Sequence, residues 1–213
     1  MKSKKIILML LTALSLFVVL TILVVTESAP IQAFNHTLYA PLATLITPVL
    51  TTFATWIGSL TDWYSYTPII LLFLILPRTR MKIGLLLATA LSASAILGPV
   101  ILKNIFAIER PDANQLIDAG GFGYPSGHSM NAAVFFGMCA ILMLRHCTNK
   151  SLKAGFTAFA IIAILLVGLS RIYLGVHTAT DVIGGYLMGI VVICTVLLIE
   201  KRLTKRSAEV NHG

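Results

Sequence analysis

The stretch from Leu169 to Gly185, LSRIYLGVHTATDVIGG, sets Ser170, Arg171, His177 and Asp181 at the mouth of a long apolar segment. His177 and Asp181 are four apart, so on a helix they share one face about one turn from each other. A carboxylate so placed accepts a hydrogen bond from one imidazole nitrogen and fixes the tautomer. The other nitrogen is then free as a base or a nucleophile. Arg171 adds a permanent cation whose planar fork suits an anionic oxygen group. Cation, oriented imidazole and carboxylate together point to chemistry on a phosphate. A capped helix start with a structural histidine would use the same residues, so the rest of the chain must decide.

Two further groups bear on that decision. Lys103 and Arg110 are seven apart, two helical turns or one short loop, and can face one point. Pro125-Ser126-Gly127-His128 opens a helix: Ser126 is suited to cap it, and Gly127 lets a ligand approach the backbone closely. The free N–H groups of a first turn, with the helix dipole, bind anions, and His128 sits in that turn. Taken singly, these are interfacial anchors, an ordinary helix start and a structural histidine. Their meeting on one side of the membrane is what calls for a site.

The elements that must position them are membrane helices. With 57% hydrophobic and 11% charged residues and a mean hydropathy of +0.91, the chain is not a soluble globular domain; such domains are roughly 25% charged. Its apolar residues come in blocks that approach the ~20 residues of a spanning helix. The pattern predicts an all-α, polytopic membrane protein in one domain, residues 1–213, with six transmembrane helices. The spans fall at about 6–25, 63–76, 83–102, 125–144, 154–169 and 178–199. The first is long for a signal peptide and Glu27-Ser28-Ala29 is a poor cleavage context, so it is expected to stay as a span.

Between Ser28 and Asp62, where Pro30, Pro41 and Pro48 break the pattern, Leu42–Ile57 is expected as one additional interfacial helix, kinked or interrupted at Pro48 and lying on or dipping into the membrane surface. Trp63, Tyr64 and Tyr66 read as an interfacial aromatic belt. Asn35-His36-Thr37 fits a glycosylation sequon, and Gly185 and Gly189 fit a helix-packing pair. Cys139, Cys147 and Cys194 lack a metal-ligand spacing and read as reduced structural thiols.

Six spans place both termini on one side. With the termini, the basic turn Pro77–Lys82 and the basic turn Arg145–Lys153 assigned to the cytoplasm, all but three of the 16 lysines and arginines are cytoplasmic. The net charge of +8 is therefore topology, and no nucleic-acid partner is expected. The three left over are Lys103, Arg110 and Arg171, on the outer side with Ser126, His128, His177 and Asp181. The polar stretch Lys103–Tyr124, which includes Asp112 and Asp118, lies on that side too.

Lys103 followed by six residues and Arg110-Pro111, then Pro125-Ser126-Gly127-His128, then Ser170-Arg171 with five residues to His177 and three to Asp181, is a three-part pattern. It resembles the signature of the type 2 phosphatidic acid phosphatase family, integral-membrane lipid phosphate phosphatases. The resemblance covers about Ile83 to Ile199 without a gap in the signature; the first 60 or so residues carry none of it. It implies a helical core like that of soluble acid phosphatases and vanadium haloperoxidases. It also implies that Lys103, Arg110 and Arg171 hold the phosphate oxygens, with Ser126 and the Gly127 backbone. His177 would attack phosphorus and become a phosphohistidine, Asp181 would orient it, and His128 would protonate the leaving oxygen and later activate water. No cofactor is implied, and no carboxylate cluster is available for a pair of metals.

The implied substrate is a phosphorylated lipid met at the outer face of the plasma membrane. Undecaprenyl diphosphate and phosphatidylglycerol phosphate lead, ahead of phosphatidic acid and diacylglycerol pyrophosphate. A lipid phosphotransferase, a non-catalytic lipid-binding or transport protein and a vanadate-dependent peroxidase are the rival readings.

Overall fold

The computed structural model describes residues 2–75, 78–111 and 114–210. Leu76, Pro77 and Asp112, placed above in a span, a basic turn and a polar stretch, lie outside the described residues. Every regular element among those described is helical: α1 Ser3–Val25, α2 Ala29–Ala43, α3 Pro48–Ser59, α4 Trp63–Ile75 and α5 Arg78–Ile96. A π-helical turn, Leu97–Leu102, runs from α5 into the short α6, Lys103–Phe106. Then follow α7 Gly127–His146, α8 Lys150–Tyr173 and α9 Ala179–Val210.

Among the described residues, five helical stretches are long and apolar enough to cross a bilayer: Ser3–Val25, Met81–Phe106, Gly127–His146, Lys150–Tyr173 and Ala179–Ser207. α4, expected as a sixth span, has 13 residues against the ~20 that a bilayer requires. Apolar side chains such as Leu8, Val19, Leu72, Ile162 and Leu203 point outward, as helices solvated by lipid require.

α7 and α9 form the centre. α1 and α5 pack on that pair, α8 packs on α7, and α3 packs on α8. Small residues set the closest approach. A methyl group on Gly185 would stand 2.5 Å from the Ser126 carbonyl oxygen, and one on Gly189 would stand 2.6 Å from Ala133 Cβ. The two glycines are thus a packing pair, as their spacing predicted. Gly185→Val forces backbone apart rather than a flexible side chain. It is expected to cost about 1–3 kcal/mol of stability, read as a lower melting temperature in detergent.

The segment 28–62 departs from the sequence expectation. It forms two helices, and the first reaches back to Ala29, well ahead of the expected Leu42. Pro41 lies inside α2, and the pattern is interrupted at Thr44–Thr47, immediately ahead of Pro48, as one of the two expectations had it. Thr47 caps the second helix by accepting from Leu50 N at 3.2 Å, and Pro48 takes the first helical position, where its missing N–H costs nothing. Neither helix simply lies on the surface. Asn35 of α2 donates to Thr180 Oγ1 at 3.0 Å and accepts from Thr180 N at 3.0 Å, so its carboxamide locks α2 to the start of α9. The sequon asparagine is therefore a structural clamp. Tyr66, expected in an aromatic belt, is buried against Phe135 at 6.2 Å between ring centres, while Tyr64 is exposed.

Candidate active site

α8 ends at Tyr173, and the chain turns through Gly175, whose φ of +70° is a left-handed conformation. A Cβ there would also lie 2.7 Å from the Asn114 carbonyl oxygen. The next helix is started by a reciprocal cap. Asp181 N donates to Thr178 Oγ1 at 3.2 Å, and Thr178 N donates to Asp181 Oδ2 at 2.9 Å. His177 therefore precedes α9 and does not share a helical face with Asp181, as the four-residue spacing had suggested. The cap itself brings carboxylate and imidazole together, with His177 Nδ1 3.3 Å from Asp181 Oδ2. Both residues are 3% exposed.

Arg110 settles the tautomer. Its Nη1 lies 3.3 Å from His177 Nε2, and a guanidinium has donors only. Nε2 therefore presents its lone pair to that donor, and Nδ1 carries the proton and donates it to Asp181. The same guanidinium is held by three carbonyl oxygens: Gly121 at 3.1 Å from Nε, Gly120 at 2.9 Å from Nη2 and Val176 at 2.7 Å from Nη1. Lys103 reaches that loop as well, its Nζ donating to the Phe122 carbonyl oxygen at 2.6 Å. The π-helical turn before Lys103, which contains Pro99, shifts the register of the residues that follow. Ala107, at φ +49°, then ends α6 and releases the chain toward Arg110.

Ser126 caps α7, its Oγ accepting from Ser129 N at 3.4 Å and from Ser129 Oγ at 3.0 Å. Its own N–H donates to the Asp181 carbonyl oxygen at 3.0 Å, which ties the first turn of α7 to the first turn of α9. Gly127 faces open space: an added Cβ would meet nothing nearer than Pro99 at 4.0 Å. Tyr124, just ahead, is fully buried and anchored by α1, through Thr21 Oγ1 at 2.8 Å and stacking on Phe17 at 5.8 Å.

Arg171, at the end of α8, is 5% exposed, and its Nε has no hydrogen-bond partner among the described residues. A buried guanidinium donor without an acceptor is costly unless an anion completes it. Gly58 of α3 makes room for this side chain, since a Cβ there would lie 2.7 Å from Nη1.

The structure thus joins His177, Asp181 and Arg110 by side-chain contact and ties Ser126 to Asp181 through backbone. It brings Lys103 to the loop that holds Arg110. His128 finds a partner that the sequence reading missed: its Nε2 lies 3.2 Å from Asp62 Oδ1. Asp62 is the only carboxylate between Glu27 and Glu109, a signal that was present in the sequence and had no motif to attach to. Asn35 and Gly58 left no comparable signal. A cavity of about 150 Å³ opens beside His177, lined also by Asn35, His36, Tyr39, Pro111 and Thr178.

Residues 82–205 match the PAP2 superfamily. The chain belongs to the PAP2 superfamily. Among its relatives, phosphatidylglycerophosphatase B of Bacillus subtilis is 35% identical over 124 residues, 57% of this chain and 60% of that protein. An undecaprenyl-diphosphatase of Sulfolobus acidocaldarius is 33% identical over 132 residues, 59% of this chain and 59% of that protein. The matched stretch spans about three fifths of each of these relatives. The crystal structure of a transmembrane PAP2-type phosphatidylglycerolphosphate phosphatase from Bacillus subtilis superposes with a TM-score of 0.80 at 26% identity. That superposition covers 91% of this chain and 96% of the other. Aquifex aeolicus LpxE shares the fold, with a TM-score of 0.51 at 24% identity over 76% of this chain and 93% of that one.

In this PAP2 chain, burial is the main influence on His177 and pushes its pKa down to about 4, against the opposing pull of Asp181. The imidazole is thus neutral at pH 7, and its contact with Asp181 is a hydrogen bond from a neutral donor. The unfolded chain takes up this proton near pH 6.5 and the folded one only near pH 4. The contribution of His177 to stability is therefore complete above pH 6.5 and is lost as pH falls toward 4. Thermal melts in detergent should show stability falling across that window, and the slope should be reduced in His177→Gln.

Proposed function

We propose that the chain is a lipid phosphate phosphatase working through a phosphohistidine on His177 Nε2. The observation that carries this reading is the line Asp181–His177–Arg110, in which the imidazole proton is held on one nitrogen and the lone pair is turned toward a cation. Nε2 attacks phosphorus and forms the P–N bond as the P–O bond to the lipid breaks; His128 gives its proton to the leaving oxygen. His128 then takes a proton from water, the resulting hydroxide attacks phosphorus, the P–N bond breaks, and inorganic phosphate departs with His177 again neutral. Lys103, Arg110 and Arg171 hold the phosphate oxygens, with Ser126 and the N–H groups at the start of α7. The charge that develops in phosphoryl transfer is spread over those oxygens, and fixed cations in a dry site stabilise it. Splitting hydrolysis at a histidine nucleophile replaces one difficult step by two easier ones.

Relatives named for phosphatidylglycerophosphate and undecaprenyl diphosphate favour those two lipids as substrates. The deciding experiment is phosphate release from a panel of purified lipids in detergent, with vanadate and a chelator in parallel. Release from undecaprenyl diphosphate well above the rest supports carrier-lipid recycling, and release from phosphatidylglycerol phosphate supports phospholipid synthesis. Vanadate is expected to inhibit, and the chelator is expected to leave turnover unchanged. Transfer of phosphate to another lipid without release of inorganic phosphate overturns the hydrolase reading.

The site is proposed to face outward, with both termini and six spans arranged as the positive charges suggest. The pairing of Arg145 with Glu200, at 2.9 Å, joins the ends of α7 and α9 remote from the site. In intact cells, Asp118→Cys should react with an impermeant thiol reagent and Ser151→Cys should not. The reverse pattern sinks the orientation.

A further inference from the structure

Asp62 stands at the corner between α3 and α4, ahead of the region matched to the superfamily, and the corner is built into the site rather than left in solvent. Thr61 is buried, and its Oγ1 donates to the Gly58 carbonyl oxygen at 3.0 Å. Asn131 Nδ2 donates to the Thr61 carbonyl oxygen at 3.4 Å, and Asn131 in turn accepts from Ser94 Oγ at 2.6 Å. Asn131 is three residues beyond His128, so α7 grips the corner with the same face that carries the histidine. Gly58 meets the Arg171 guanidinium. Asp62 itself uses both carboxylate oxygens: Oδ1 lies 3.2 Å from His128 Nε2, and Oδ2 accepts from Tyr64 Oη at 2.7 Å. The hydrogen bond from His128 is the largest influence on this carboxyl and holds it below its usual range, so it is an anion at neutral pH.

The chemistry assigned to His128 needs such a partner. An acid that protonates a leaving oxygen must hold its proton while the phosphate is in place. The charged groups that act on His128 are Asp62 from the corner, Lys103 from α6 and Arg171 from α8. Two of the three are cations that oppose a positive imidazolium, and only Asp62 favours it. We propose that Asp62 is the positioning residue of His128: its carboxylate fixes the ring through Nε2 and offsets the cations around it, so that His128 can serve as the leaving-group acid. This rests on the phosphatase reading above and gives His128 a carboxylate partner parallel to Asp181 for His177.

The test compares wild type with Asp62→Asn, which keeps the shape and a hydrogen bond but removes the charge. Two substrates are used: phosphatidic acid, whose alkoxide leaving group needs a proton, and p-nitrophenyl phosphate, whose nitrophenolate leaves without one. Asp62→Asn is expected to lose about 100-fold on phosphatidic acid and less than about threefold on p-nitrophenyl phosphate. The alkaline limb of kcat/KM for the lipid should move to lower pH, and Asp62→Glu should recover part of the loss. Equal losses on the two substrates, or no loss on either, overturn the proposal. If Asp62→Asn is not recovered as a monodisperse protein, Asp62→Ser is compared in the same way. If phosphatidic acid is not turned over, phosphatidylglycerol phosphate, which also leaves as an alkoxide, takes its place; wild-type protein that releases phosphate from no lipid of the panel defeats the phosphatase reading itself, whereas active wild type with an indifferent Asp62→Asn defeats only this inference.

Discussion

Alanine at His177 is expected to lower phosphate release by about 10⁴-fold or more, because it removes the nitrogen that forms the P–N bond. The side chain is nearly fully buried, yet its loss should leave the fold intact. The cap that starts α9 is made by Thr178 and Asp181 without it, and Arg110 keeps its three carbonyl acceptors. The measurement is steady-state release from the preferred lipid beside a size-exclusion profile. Folded protein that keeps more than a few per cent of its activity removes His177 from the nucleophile's role. A second readout sharpens the test: wild type quenched during turnover should carry acid-labile phosphate, and His177→Ala should carry none.

Asp181→Asn is expected to cost about 10³-fold in kcat, for a reason separate from shape. The carboxylate accepts from both His177 Nδ1 and Thr178 N through Oδ2. If the amide nitrogen of asparagine faces the ring, it donates to Nδ1 and moves the imidazole proton onto Nε2, where the lone pair is needed. If the amide oxygen faces the ring, the tautomer survives, but the negative charge that stabilises the phosphohistidine is gone. Both arrangements slow phosphoryl transfer. The α9 cap keeps its Asp181 N to Thr178 Oγ1 bond in either case, so stability should fall far less than activity. Comparable losses in melting temperature and in kcat would make Asp181 a structural cap and nothing more.

The residues of the signature were legible because their spacing survives any packing of the helices. Ser126 as a cap, Gly127 as open backbone and Gly185 with Gly189 as a close contact follow from local rules, and the structure has them so. The spacing of His177 and Asp181 was legible, but its geometry was not. A helical face was expected, whereas a reciprocal cap outside the helix joins the pair, because Thr178 competes for the helix start. Within 28–62 only Leu42–Ile57 was legible as a helix, because the apolar pattern ahead of it is weak and its prolines suggest breaks. α2 nevertheless carries Pro41 internally, held in place by contacts such as Asn35 with Thr180, which lie far away in sequence.

What this sequence determined by itself was the lipid-solvated helical architecture and the set of side chains suited to a phosphate. Each follows from local composition or from fixed spacing along one chain. Only the tertiary structure decided which nitrogen of His177 holds the lone pair, since that depends on Arg110, 67 positions away. It alone decided that Arg171 is buried against Gly58 with a donor left over, and that His128 has Asp62 as its partner. Hydrogen bonds and charges act through space at about 3 Å. Residues from α3, the corner after it, α7 and α8 reach that distance only when the helices have packed.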